Sequence, residues 1–177
     1  PSQRRRFLDI LISQVDRPYL RTLQRYQRVL TQRNHLLRLI RDGRSAPDDL
    51  DFWDSELLKE GVPLVARRDQ VVQRLMPLAM QAYRGLAGGE EVSVAFQPSV
   101  PAEGLADALA SQRAAEVRAG MTLAGPHRDD MSLAIDGMSA ATYASRGQAR
   151  TIALALRLAE ATFLREERRE EPILLLD

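Results

Sequence analysis

Residues 144–150 read ASRGQAR and stand directly before a long run of alanines and leucines. The run predicts a helix, and Gly147 falls in its first turn. Inside a helix a glycine costs about 1 kcal/mol relative to alanine, so bare backbone there calls for a reason. The first N–H groups of a helix have no internal partner, and the helix dipole turns its positive end towards them. The Ser145 hydroxyl and the missing side chain at Gly147 let an anion approach those groups. Two readings stay open: a phosphate contact, or a serine that merely caps the helix.

Downstream of this turn the spacing predicts a helix from about Arg146 to Arg168, with Ile152, Leu156, Ala159 and Phe163 on its inner face. Its end, REERREE, reads as a solvated turn whose charges pair with one another. Pro172 then stops the helix, and ILLLD, residues 173–177, reads as the start of a buried strand that closes on an acid.

Upstream, the period changes from helix to strand. DMSLAIDGMSA alternates through Met131, Leu133 and Ile135, and Asp136-Gly137 is a hairpin turn signal. EVSVAFQPSV alternates through Val92, Val94 and Phe96. Between them PAEGLADALASQRAAEVRAG reads as a helix stopped by Gly120. A small antiparallel sheet beside helices is the expected result.

The first half of the chain is helical by period. RRRFLDILISQV sets Phe7, Leu8, Leu11, Ile12 and Val15 at helical spacing. A second helix is predicted from about Asp16 to Asp42, with Pro18 in its tolerant first turn and Gly43 as its stop. Tyr19, Leu23, Tyr26, Leu30, Leu37 and Ile40 form a heptad-like seam along it, and Arg33 fills the missing step. RSAPDDLDFW reads as a loop that re-enters a helix, capped by Asp49 or Asp51 and with Trp53 in the core. A long helix follows over roughly Val62 to Leu86, with a bend expected at Pro77.

Charge is unevenly placed. Residues 1–44 hold eleven arginines and three aspartates, a net of +8, whereas the rest of the chain carries a net of −7. Arg17, Arg21, Arg25 and Arg28 share one face of the second helix. They read either as a solvated face or as a row of cations for a nucleic-acid backbone, which asks for charge rather than base-specific groups.

Other classes are excluded. With no cysteine there is neither a disulfide scaffold nor a thiolate metal site. His35 and His127 lie too far apart for metal-ligand spacing. No apolar run approaches the 18 or so residues of a membrane helix, and no signal-peptide pattern opens the chain. A cytoplasmic protein is expected. The start at Pro1 and the stop on an apolar run suggest a piece of a longer polypeptide.

An acid that closes an apolar strand, about 30 residues after a Ser-Arg-Gly-Gln turn, resembles the signature helix and Walker B strand of ABC-type ATPases. AGPHRDDMSLAIDG, RRRFLD and YQRVLTQRNHLLR narrow the likeness, from Arg4 to Asp177, to the RecF family, recombination mediators among the SMC-like ABC ATPases. The resemblance implies an α/β, mostly α, fold: residues 1–90 as a helical arm, and 91–177 as a sheet and signature-helix region running into the Walker B strand. It implies ATP and Mg²⁺ as cofactors of a full-length dimer, not of this chain alone. It implies that Ser145, Arg146, Gly147 and Gln148 form the signature that reaches the partner protomer's γ-phosphate. Asp177 would then be the Walker B acid that holds a Mg²⁺-bound water. DNA, as duplex or as a single-strand to duplex junction, is the implied partner, together with RecR and RecO, RecA indirectly, and a second copy in an ATP-dependent homodimer. No membrane partner is implied.

One departure is plain. A P-loop needs Gly-x-x-x-x-Gly-Lys-Ser/Thr, and the only lysine here, Lys59, sits in LLKEG. A weak DNA-dependent ATPase activity is therefore expected of a longer protein and none of this chain by itself. His127 and Arg128 read as a structural hydrogen-bond hub or as a contact to nucleotide or partner. The alternative for the whole chain is a non-catalytic helical interaction module or a head segment of another SMC-type protein.

Overall fold

A computed structural model describes residues 2–169 and 171. Among these residues six α-helices and a small sheet follow in order: α1 (Ser2–Val15), α2 (Arg17–Arg41), α3 (Leu50–Leu86), β1 (Val92–Gln97), α4 (Leu105–Ala119), β2 (Asp130–Ile135), β3 (Met138–Ser139), α5 (Ala140–Tyr143) and α6 (Arg146–Arg168). The architecture is mostly helical with one three-stranded sheet, as the periodicity predicts. The strand predicted over 173–177 lies outside the described residues.

Local chemistry sets most of the boundaries. Asp16 caps α2 by accepting the Tyr19 N–H at 2.9 Å, with Pro18 in the first turn. α4 closes on Gly120 in the left-handed conformation. Asp136 and Gly137 both take positive φ, 47° and 78°, and turn β2 into β3 in the register Ile135↔Met138 and Ala134↔Ser139. α3 starts twelve residues before the expected Val62 and spans 37 residues. It runs through Pro63 and Pro77, because Leu57, Leu64, Val65, Val71, Val72 and Leu75 are all buried along it. Packing of that face outweighs the backbone bonds the prolines remove.

The chain divides into two compact units, each made of separate stretches. One takes the residues up to Val15, then 68–97, and those from Met131 onward. Its core joins Tyr83, Val92, Ile135, Ile152 and Ala155, with Ala140 and Ala144 packed against them. α1 lies against α6 there. Among the described residues of the REERREE end of α6, Glu166 and Glu167 meet Arg74 of α3, and Arg168 donates to the Gln14 carbonyl, where the sequence suggests pairing within the stretch.

The other unit takes Asp16–Arg67 and Pro98–Asp130. Its seam on α2 is buried at Tyr19, Leu23, Tyr26, Val29, Arg33, Leu37 and Ile40, so Val29 rather than Leu30 takes the middle step. Arg33 is fully buried. Its guanidinium donates to Asp54 at 2.7 Å, to Thr122 at 2.8 Å and to Glu116 at 2.6 Å, and Glu116 is fully buried too. Glu116 also accepts the Leu123 N–H, and Arg113 joins through Asp54. Among the described residues no buried side-chain polar atom lacks a partner, the condition under which a buried ion pair is tolerated. Trp53 is half-buried rather than core, edge-on to an exposed Phe52 at 5.1 Å.

Candidate functional site

The ASRGQAR turn is built by a reciprocal cap. Ser145 is extended, at φ −63° and ψ 163°, and its hydroxyl accepts the Gln148 N–H at 3.2 Å. The Gln148 side chain reaches back and accepts the Ser145 N–H at 2.8 Å. Ala144, packed on the core, delivers the chain to this point in an extended conformation. The Ala149 N–H makes the first helical bond, to the Ser145 carbonyl at 2.9 Å. Two of the four donors at the turn are thus occupied by the cap. Among the described residues, the N–H groups of Arg146 and Gly147 have no acceptor.

Gly147 has an ordinary backbone conformation, and a Cβ placed on it would meet only the Ser145 hydroxyl, at 3.8 Å. Among the described residues, nothing in the packing or the backbone requires glycine there. Ser145, Arg146 and Gly147 are exposed, and Gln148 is half-buried. The empty space above Gly147 and the two open N–H groups suit a small anion such as a terminal phosphate. The side chain of Gln148 is already spent on Ser145 and on Glu90, so what the turn offers outward is backbone and the Arg146 guanidinium.

Behind the turn lies a carboxylate that the sequence reading does not single out. Glu90 accepts the Gln148 amide at 2.7 Å and the Tyr83 hydroxyl at 2.8 Å. Tyr83 is fully buried. Its burial, and then the hydrogen bond and charge of Glu90, push the phenol up to about 12. A small hollow of about 90 Å³, lined by Glu90, Ile135, Asp136, Met138, Tyr143 and Gln148, opens beside these groups. Met138 and Tyr143 on its rim are 58% and 68% exposed, unusual for large apolar side chains.

The GPHRDD string belongs to the other unit, where His127 and Asp129 are hydrogen-bonded. Gly125 holds φ at +133°, and a Cβ there would lie 2.7 Å from the Tyr26 hydroxyl. His127 Nε2 faces the Thr122 carbonyl at 3.1 Å, which only accepts, so that nitrogen carries the proton. Nδ1 therefore accepts the Tyr26 hydroxyl, at 2.7 Å. Asp129 is fully buried and accepts the Ser99 N–H at 2.9 Å. Through these bonds His127 joins Tyr26 to the Thr122 carbonyl.

The cationic face of α2 is in the same unit. Arg17, Arg21, Arg25 and Arg28 are all exposed, and α2 contains no acidic residue. Arg25 differs from the other three: it donates to Glu60 of α3 at 2.7 Å, which holds its proton more tightly. Arg17, Arg21 and Arg28 make no ion pair among the described residues. Gln24, Gln27, Thr31 and Gln32 flank Arg28 with neutral polar groups. Among the described residues no cluster of three His, Asp or Glu could hold a metal ion, and no helix is long and apolar enough to cross a membrane. Asp177 lies outside the described residues.

No family model matches the sequence. Over its whole length the chain is 48% identical to the DNA replication and repair protein RecF of Moorella thermoacetica, and 43% identical to that of Heliobacterium modesticaldum. It covers 48% and 50% of those two proteins. Among solved structures, it superimposes on the recombination mediator protein RecF-ATP of the RecFOR pathway with a TM-score of 0.94, at 31% identity. That match covers 100% of this chain and 50% of the other. The same mediator as RecF-ATPrS gives 0.91 at 28% identity, covering 97% of this chain and 49% of the other. The chain spans about half the length of the curated relatives it matches.

Proposed function

This chain belongs to the RecF family as a stretch about half its relatives' length, and from that premise we propose that it supplies the arm and signature turn of an ATP-dependent recombination mediator. In this reading two copies of the whole protein close over ATP. The turn Ser145–Gln148 of each meets the terminal phosphate held by the other. The Arg146 and Gly147 N–H groups donate to the phosphate oxygens, Ser145 and Gln148 hold the turn open for them, and Arg146 adds a positive charge. Asp177 would hold the water of a Mg²⁺ ion, which would supply positive charge at the phosphates. ATP held in this way would supply the charge that these turn residues meet. The closed dimer holds DNA and, with RecO and RecR, favours loading of RecA at single-strand gaps and stalled forks. Arg17, Arg21, Arg25 and Arg28 carry the backbone contact.

The observation that carries the reading is Gly147. Its space is empty, its backbone conformation is ordinary, and the N–H groups beneath it are open. Such a glycine has no packing use among the described residues and leaves room for an outside anion. Two variants of the full-length protein test it. Ser145→Arg fills the space in front of the turn and is expected to abolish ATP-dependent dimerisation in sedimentation velocity. Gly147→Ala is expected to leave the melting temperature unchanged or raised, since alanine is the better helix former, and yet to weaken ATP-dependent dimerisation. Normal dimerisation of both variants removes the turn from the nucleotide site.

A further inference from the structure

The open N–H groups of Arg146 and Gly147 are held open by residues far from them in sequence. Tyr83 near the end of α3 is fully buried and donates to one oxygen of Glu90 at 2.8 Å. The other oxygen of Glu90 accepts the Gln148 amide at 2.7 Å. The Gln148 carbonyl then accepts the Ser145 N–H at 2.8 Å. Glu90 is separated from Gln148 by 58 positions.

The chemistry makes this a one-way arrangement. An ionised carboxylate only accepts, so Gln148 must turn its NH₂ towards Glu90 and its oxygen towards Ser145. An amide without that partner is free to rotate and present either end to the Ser145 N–H. The start of α6 is exposed at Ser145, Arg146 and Gly147, and exposed helix starts fray. Donors that bind a developing or transferred charge are effective when their direction is set beforehand. Tyr83, anchored in the core with Val92, Ile135 and Ile152, gives Glu90 a fixed position from which to set it. The negative charge of Glu90 is met by two donors behind the turn and is not presented to an incoming anion.

We propose that Glu90 is a positioning residue of the signature turn: through Gln148, and braced by Tyr83, it holds the Arg146 and Gly147 N–H groups in the direction a partner's phosphate requires. This rests on the reading of Ser145–Gln148 as a nucleotide contact. Glu90 itself touches neither nucleotide nor the second copy.

The test is ATP-dependent dimerisation of the full-length protein, measured by sedimentation at saturating ATP and well below each variant's melting temperature. Glu90→Ala frees Gln148 and is expected to weaken dimerisation roughly tenfold, the worth of one charge-assisted hydrogen bond. Glu90→Gln keeps an oxygen for Gln148 and an NH₂ for the Tyr83 oxygen, and is expected to recover most of the loss. Tyr83→Phe deletes one hydroxyl and is expected to weaken dimerisation by a smaller factor, about threefold. It carries the test if Glu90→Ala does not fold. Ser145→Arg separates the two levels of the account. If Ser145→Arg fails to dimerise while Glu90→Ala and Tyr83→Phe dimerise normally, the positioning role falls and the nucleotide reading stands. If Ser145→Arg also dimerises normally, the nucleotide reading itself falls. Glu90→Gln as weak as Glu90→Ala overturns the hydrogen-bond account.

Discussion

Arg33 and Glu116 meet at 2.6 Å, both fully buried, across 83 positions of sequence. The pair ties α2 to α4 at the step of the α2 seam where every neighbour is apolar or aromatic. Removing one member of a buried pair strands the other charge away from water, at a cost of about 3–5 kcal/mol. Arg33→Met is therefore expected to lower stability by that amount in urea unfolding. Arg33→Met with Glu116→Leu is expected to recover part of the loss, leaving the Thr122 and Leu123 partners short of a bond. A single variant within about 0.5 kcal/mol of the natural protein contradicts this.

Gly125 packs its bare Cα against Tyr26. Alanine there would force a strained φ and place a Cβ 2.7 Å from the Tyr26 hydroxyl, displacing the phenol from His127. Gly125→Ala is expected to cost at least about 2 kcal/mol by chemical unfolding, as strain and a broken bond together. Tyr26→Phe removes the clashing oxygen, so the double variant is expected to be less than additive. Full additivity would mean that the two residues do not share one contact.

Tyr83 makes stability fall at alkaline pH. Its folded phenol titrates at about 12 against an ordinary 10.0. The unfolded chain thus loses this proton first, and between those values the native state binds more protons. The contribution is complete below pH 10 and is lost as pH rises towards 12. Tyr83→Phe is expected to show a shallower loss of stability over that interval, in melts compared at matched ionic strength. Parallel curves for the two proteins would place the phenol in a more ordinary environment.

Arg17, Arg21 and Arg28, which make no ion pair among the described residues, give a salt prediction. Arg17→Glu, Arg21→Glu and Arg28→Glu together are expected to weaken DNA binding by the full-length protein and to flatten its salt dependence. Each lost phosphate contact lowers the logarithmic slope by about 0.9. Arg25, held by Glu60, is expected to contribute less than any of the three. An unchanged slope in the triple variant reduces that face to a solvated one.

What the sequence makes legible is local. The ends of α2, α4 and α6 and the Asp136-Gly137 turn follow from caps, stop residues and positive-φ signals within a few positions. What it hides is long-range. Arg33 stands where a seam residue belongs, but its partners lie 21, 83 and 89 positions away, so neither its burial nor its neutralisation shows in the period. Glu90 sits beside two glycines in what reads as a helix stop, and nothing nearby marks it as the partner of Gln148. The acids at the end of α6 have arginines beside them in sequence, but Arg74 of α3 takes them. The division into two units from interleaved stretches is hidden for the same reason, since each boundary is an ordinary loop or an unbroken helix.

The central claim is that the uncovered start of α6 is one half of a phosphate seat whose other half belongs to a second copy. The direct measurement is a structure of the full-length protein closed as a dimer on a non-hydrolysed ATP analogue. The account predicts a terminal phosphate oxygen about 3 Å from the Gly147 nitrogen of the opposite copy, the ordinary distance of an N–H donor to an oxygen, with Gln148 still on Glu90. A triphosphate bound away from Gly147 in both copies would contradict it.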